Sequence, residues 1–152
     1  MVLFATGGTI SMQQDAARGG AVPRLSAQEI VAAVPGVERV AELEVVEWGR
    51  YPGPHMTIAR MWALRGSILE AMQHGADGIV LTHGTDTIEE TAYLLDRTLP
   101  PDVPVVVTGA MRNSSELSWD GPANLMEAVR VAASPEARGR GAMVVMNEEV
   151  VQ

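Results

Sequence analysis

Two segments of this chain are apolar at almost every position: Gly78-Ile79-Val80-Leu81-Thr82 and Val103-Pro104-Val105-Val106-Val107-Thr108. Runs this short and this uniform suit strands of a sheet covered on both faces, not strands with one wet face. Val2 to Ala5, Leu43 to Trp48 and Ala142 to Met146 read the same way. Between these runs lie segments whose apolar residues recur at helical spacing, such as Met61, Leu64, Ile68, Leu69 and Met72, and later Leu125, Met126, Val129 and Val131. Five strands joined by four crossovers, three of them clearly helical, predict an α/β fold: a doubly wound, mainly parallel sheet with helices on both faces. A length of 152 residues provides for one such domain, 1–152.

Local signals place several boundaries. Ser26 with Glu29 three residues on has capping-box spacing and opens a short helix through Ile30, Val31 and Val34, closed by Pro35-Gly36. Thr57 suits the start of the long helix that ends at Gly75, and Thr87 the start of one broken by Pro100-Pro101. Pro122 belongs in the first turn of the last helix. Ser11 to Arg24 and Asn113 to Ser118 read as polar loops.

Charge excludes some partners. Acidic residues outnumber basic ones 19 to 11, and the chain has no lysine. A phosphate backbone calls for clustered cations, so neither nucleic acid nor an anionic membrane is an expected partner. The absence of cysteine removes disulfides and thiolate metal sites. No segment has the apolar length of a membrane span, and Met1-Val2-Leu3-Phe4 reads as a strand, not as a secretory leader, so a cytoplasmic location is expected.

Ligands of doubly wound sheets bind beyond the carboxyl ends of the strands, near a switch in strand order. The residues there are Thr6-Gly7-Gly8-Thr9-Ile10, Pro52-Gly53-Pro54-His55, Thr82-His83-Gly84-Thr85-Asp86-Thr87, Thr108-Gly109-Ala110-Met111-Arg112-Asn113 and Asn147-Glu148-Glu149. The first segment fits a structural turn, or a threonine nucleophile beside free backbone amides; its spacing does not fit a phosphate loop. Asp86 fits a ligand for an ammonium group, or, with Thr87, an ordinary helix cap. His55, His74 and His83 lack metal-ligand spacing: His74 fits the surface and the other two loop hydrogen bonding. Met56, Met61, Met72, Met126, Met143 and Met146 fit packing positions.

Thr6-Gly7-Gly8-Thr9-Ile10 followed by His83-Gly84-Thr85-Asp86-Thr87-Ile88-Glu89-Glu90-Thr91-Ala92 closely resembles the paired signatures of the bacterial-type L-asparaginase/glutaminase family. Val107-Thr108-Gly109-Ala110-Met111-Arg112, Asp120-Gly121-Pro122-Ala123-Asn124-Leu125 and Val144-Val145-Met146-Asn147 extend the resemblance along the chain in order. It implies hydrolysis of L-asparagine, and of L-glutamine as a possible second substrate, to the acid and ammonia through an acyl-enzyme, with no metal or organic cofactor. By the same resemblance Thr9, Thr85 and Asp86 are the catalytic residues. Gly8, Gly53, Pro54, Gly84 and Ala110 join Thr85 and Asp86 around the substrate.

Three departures accompany the resemblance. The family's relay lysine falls about a dozen residues beyond the last strand, and this sequence has no lysine. The active-site tyrosine of the family's N-terminal loop has no counterpart between Ser11 and Arg24, and Gly53 stands where a substrate-binding serine is usual. The family is two-domain, with sites formed between subunits of a homodimer or homotetramer. The chain is therefore expected to be its N-terminal catalytic domain, incomplete at its C-terminal end, inactive alone, and exposing apolar surface. Two other readings are the amidase subunit of a tRNA-dependent amidotransferase, which usually carries a domain ahead of the glycine turn, and a non-catalytic amino-acid-binding module.

Overall fold

The computed structural model describes residues 1–152. A six-stranded sheet carries the fold. Its members are β1 (Val2–Gly7), β4 (Glu44–Tyr51), β5 (Ile79–Thr82), β6 (Val105–Thr108), β7 (Ala142–Met146) and β8 (Glu149–Val151), and a separate hairpin pairs β2 (Met12–Asp15) with β3 (Gly20–Pro23). The order across the sheet is β4-β1-β5-β6-β7-β8. All neighbours are parallel except β7 and β8. Four helices connect the strands: α1 (Ala27–Ala32), α2 (Ile58–Gln73), α3 (Ile88–Thr98) and α4 (Gly121–Ala133).

The period-two alternation of the strands divides the interior into two cores. Val2, Phe4, Ile79, Leu81, Val105 and Val107 face one way and pack with Leu64 and Ile68 of α2 and Ile88, Ala92 and Leu95 of α3. Leu3, Val80, Val106, Met143 and Val145 face the other way, against Ile30 of α1 and Leu125, Ala128 and Val129 of α4. The chain thus winds to one face after β1 and to the other after β4. Strand order reverses between β1 and β5, which makes the gap between their carboxyl ends the switch point.

The helix starts at Ser26 and Thr57 form as their residue types demand. Ser26 accepts from the Glu29 amide while the Glu29 carboxylate accepts from the Ser26 amide, and the Thr57 hydroxyl accepts from the Arg60 amide. Three boundaries differ from the sequence expectation. The polar stretch from Ser11 to Arg24 contains the β2–β3 hairpin, whose side chains lack apolar alternation. Distant bonds anchor it instead: Ser114 donates to the Met12 carbonyl, and the Gln14 amide donates to Ser115 Oγ. β4 does not stop at Gly49 but runs to Tyr51, because pairing continues to Gly7 across a register shift and the Tyr51 ring lies over Gly49. Asn147 and Glu148 lie beyond the carboxyl end of β7 as expected, but as a tight reversal, and Glu149 already belongs to a sixth strand of the sheet. Asn147 and Glu148 take positive φ values of 52° and 64° and reverse the chain into β8, which pairs back on β7.

Val150 and Val151 of that edge strand are exposed, as are Ile58 and Trp62 of α2, Tyr93 of α3, and the loop residues Met111 and Leu117. No helix is long and apolar enough to cross a membrane.

Candidate functional site

The turns that follow β1, β4 and β5 meet at glycines. A Cβ built on Gly8 would lie 2.5 Å from the Gly84 Cα and amide nitrogen, and one on Gly84 would lie 2.5 Å from the Gly53 Cα. Neither contact leaves space for a side chain, since the opposing atoms are backbone and cannot rotate away. Gly8 also holds φ 81°, ψ −178°, a region essentially reserved for glycine. The Gly8 amide donates to the Tyr51 carbonyl at 3.0 Å, which ties the first turn to the end of β4. Three sequence-distant loops are therefore joined through main chain at the switch point.

Thr9, Thr85 and Asp86 project from this junction. Thr9 opens a single 3₁₀ turn, Thr9–Ser11, and Thr85 opens another, Thr85–Thr87. Both threonines are half-buried and Asp86 is exposed. None of the three side chains has a hydrogen-bond or ion-pair partner within the chain, whereas Thr6, Thr87, Thr91 and Thr108 all donate or share a hydroxyl hydrogen bond. The ordinary capping reading of Asp86 and Thr87 fails. Neither caps α3 with its side chain: Thr87 Oγ1 donates to the Gly53 carbonyl at 2.9 Å, and the Asp86 carboxylate lies against the Gly53 Cα. Asp86 is left as a carboxylate at the switch point with no structural partner.

The other expected contact residues divide. Gly53 is buried in the junction, while Pro54 and His55 are exposed beside it. Ala110 is wholly buried and belongs to the α4-side core, so its methyl serves packing, and only its backbone is available to the rim. Gly109 before it does touch the site: a Cβ there would come 2.6 Å from the His83 carbonyl oxygen and 3.3 Å from the Thr85 methyl.

His83 underpins the Thr85 turn. It is fully buried, its Nδ1 bonds the Gly84 carbonyl at 2.8 Å, and its Nε2 bonds Thr91 Oγ1 at 2.8 Å. A carbonyl only accepts, so Nδ1 carries the proton and neutral Nε2 accepts from the threonine hydroxyl. Burial lowers the His83 pKa below the ordinary histidine value; the Gly84 carbonyl and Glu90 offset this only in part. The ring thus joins α3 to the site turn in its uncharged form, a more definite role than generic loop bonding.

Asp120 and Asn124, present in the sequence pattern without an assigned role, organise the neighbouring loop. The Asp120 carboxylate accepts from the amides of Met111 and Arg112 at 3.0 and 2.9 Å. Partial burial pushes its pKa up, and these amide bonds outweigh that and hold it below the usual carboxylate range. No cluster of three or more His, Cys, Asp or Glu side chains is close enough to hold a metal ion. The arrangement offers two free hydroxyls and one free carboxylate around a main-chain junction, a set suited to acyl transfer on a substrate bearing an ammonium group.

Comparison with known proteins bears on the family and the fold. The family model "Asparaginase, N-terminal" matches residues 1–152. A probable L-asparaginase of Deinococcus radiodurans is 41% identical over 150 residues, covering 99% of this chain and 44% of that protein. L-asparaginase 2 of Escherichia coli is 39% identical over 153 residues, with the same 99% and 44% coverage. A crystal structure of a probable cytoplasmic L-asparaginase from Campylobacter jejuni superposes with a TM-score of 0.90 at 37% identity, covering 98% of this chain and 46% of that one. A probable periplasmic L-asparaginase of Haemophilus influenzae is 39% identical over 153 residues, covering 99% of this chain and 44% of that protein, so the relatives do not share one compartment. The chain spans less than half the length of these relatives. With the family model matching from the first residue to the last, the chain belongs to the asparaginase family, as its N-terminal part.

Proposed function

We propose that the protein carrying this chain is a cytoplasmic amidohydrolase that converts L-asparagine to L-aspartate and ammonia, with Thr9 as nucleophile. The observation that carries the reading is the glycine junction, which brings the turns bearing Thr9 and Thr85-Asp86 together at the switch point with all three side chains unengaged. Thr9 Oγ attacks the side-chain carbonyl carbon of the substrate, and its proton passes to the departing nitrogen. The oxyanion that develops is stabilised by backbone amides at the turns. Ammonia leaves as the acyl-threonine ester forms, and water then cleaves the ester to release aspartate and regenerate the hydroxyl. Asp86 binds the substrate's ammonium group, and Thr85 assists proton movement. The cationic partner that lowers the barrier to threonine ionisation comes from outside these 152 residues, as does the remainder of the site, in a homo-oligomer of the natural-length protein.

The test is ammonia release from L-asparagine by the natural-length protein and its Thr9→Ala variant. Thr9→Ala is expected to lower kcat by at least about 1000-fold, since removal of an activated nucleophile eliminates the covalent path. Unimpaired turnover in the variant would remove Thr9 from this role. Stoichiometric aspartate binding by the wild-type protein without ammonia release would favour an amino-acid-binding module.

A further inference from the structure

Asn124 lies in the first turn of α4, only 4% exposed, and makes no hydrogen bond to Thr9, Thr85 or Asp86. Its amide is nonetheless fully engaged. Nδ2 donates to the Gly109 carbonyl at 3.0 Å and to Asp120 Oδ2 at 3.0 Å, while Oδ1 accepts from the Asn147 amide at 3.0 Å. Three acceptors face the nitrogen, the third being Met146 Sδ at 3.8 Å, and one donor faces the oxygen, so the partners fix the orientation of the amide. A buried amide satisfied in this way is costly to replace by a group with a different donor pattern.

Its partners belong to different parts of the structure. Gly109 begins the loop after β6 and is packed on the His83 carbonyl and the Thr85 methyl. Asp120 holds the next two amides of that loop, those of Met111 and Arg112. Asn147 starts the turn between β7 and β8, and Met146 Sδ accepts from the Gly109 amide at 3.3 Å, reinforcing the link. Gly109 cannot shift away from Thr85 without breaking its bond to Asn124. The β7–β8 turn cannot shift without pulling on the same side chain.

We infer that Asn124 is a positioning residue, a clasp that fixes the Gly109 wall against Thr85 and locks that wall to the β7–β8 turn. The inference rests on the amidohydrolase reading for its effect on rate, but not for the clasp itself. Displacing a catalytic wall by about 1 Å costs on the order of 100-fold in turnover.

The experiment uses the natural-length protein with Asn124→Ala and Asn124→Asp variants, restricted to conditions in which circular dichroism shows each fully folded. Asn124→Ala is expected to lower kcat by about 10- to 100-fold with KM changed by less than about threefold, because the Thr85 wall is displaced while the ammonium ligand is not. Asn124→Asp keeps the shape. When ionised it has no hydrogen to give Gly109 or Asp120; when protonated it regains one donor. Asp120 is the one ionisable side chain in hydrogen-bond contact with position 124. Turnover of Asn124→Asp, taken relative to wild type at each pH, is therefore expected to rise several-fold between about pH 7 and pH 5 as the buried acid takes up its proton. Amide exchange at Gly109, Met111, Arg112 and Asn147 is expected to accelerate together in both variants at neutral pH. A kcat for Asn124→Ala within twofold of wild type, or a pH-independent ratio for Asn124→Asp, overturns the positioning role. Unchanged exchange at these four amides overturns the clasp. If wild-type protein releases no ammonia from asparagine, the amidohydrolase reading fails by itself, and the exchange measurement still decides the clasp.

Discussion

Gly84→Ala isolates the central contact of the site. Gly84 has φ −73° and ψ 137°, a backbone conformation open to any residue, so alanine introduces no torsional strain there. What it introduces is a methyl group 2.5 Å from the Gly53 Cα and 2.7 Å from the Gly53 nitrogen. Carbon atoms settle at about 3.5–4.0 Å, so the turns after β4 and β5 must separate by about 1 Å. Overpacking of this kind costs about 1–3 kcal/mol, which corresponds to a fall in melting temperature of roughly 3–10 °C in a domain of this size. The same displacement moves Asp86, which rests on Gly53, relative to the Thr9 turn, and is expected to lower asparagine turnover by about 100-fold. Gly8→Ala adds forbidden backbone torsion to the same clash and is expected to cost a further 1–3 kcal/mol or so. Gly19→Ala supplies the converse control: its φ is 68° but nothing lies within 4 Å, so only about 1–2 kcal/mol of left-handed strain is expected. Calorimetry and ammonia release on the three variants of the natural-length protein decide the matter. Wild-type melting temperature and turnover in Gly84→Ala would show that the loops do not meet as described.

Two further predictions concern stability. An unfolded histidine takes up a proton near pH 6.5, whereas buried His83 resists it, so below that pH the unfolded state binds more protons and stability falls as pH drops. His83→Gln is expected to flatten the stability profile just below about pH 6.5 by up to about 1.4 kcal/mol per pH unit, and parallel denaturation profiles would refute the assignment. Ser26→Ala removes the reciprocal cap of α1 and is expected to lower the unfolding free energy by about 1 kcal/mol with no change in denaturant slope; an unaltered midpoint would mean that the capping box contributes nothing.

The parts of the fold that could be read from the sequence are those whose signal is local. Ile79 to Thr82 and Val105 to Thr108 sit in a sheet covered on both faces, which leaves no polar position to confuse the pattern. Ser26 and Glu29 satisfy each other within one turn. The misread segments depend on partners far along the chain. Met12 to Asp15 becomes a strand through Ser114 and Ser115, and β4 runs past Gly49 through its pairing with β1. At the site, Asp86 could not be separated from a helix cap by composition. Only the diversion of Thr87 to the Gly53 carbonyl shows that α3 starts without a side-chain cap. The clasp role of Asn124 was not legible locally either, since three of its four partners lie 15 residues upstream and 22 and 23 residues downstream.

The position of β1 has a consequence for assembly of the chain. This strand is interior to the sheet, yet its partners come later in the sequence: Val2 pairs with Glu44 on one side and with Ile79 on the other. At a synthesis rate of about 5–20 residues per second, the apolar residues Val2, Leu3 and Phe4 wait roughly 4–15 s for β5 to be made. The Thr9 turn follows directly on this strand, and its glycine contacts depend on the turns after β4 and β5 as well. The Thr9 turn, made within the first dozen residues, thus acquires its glycine contacts only once the chain has been made as far as Gly84.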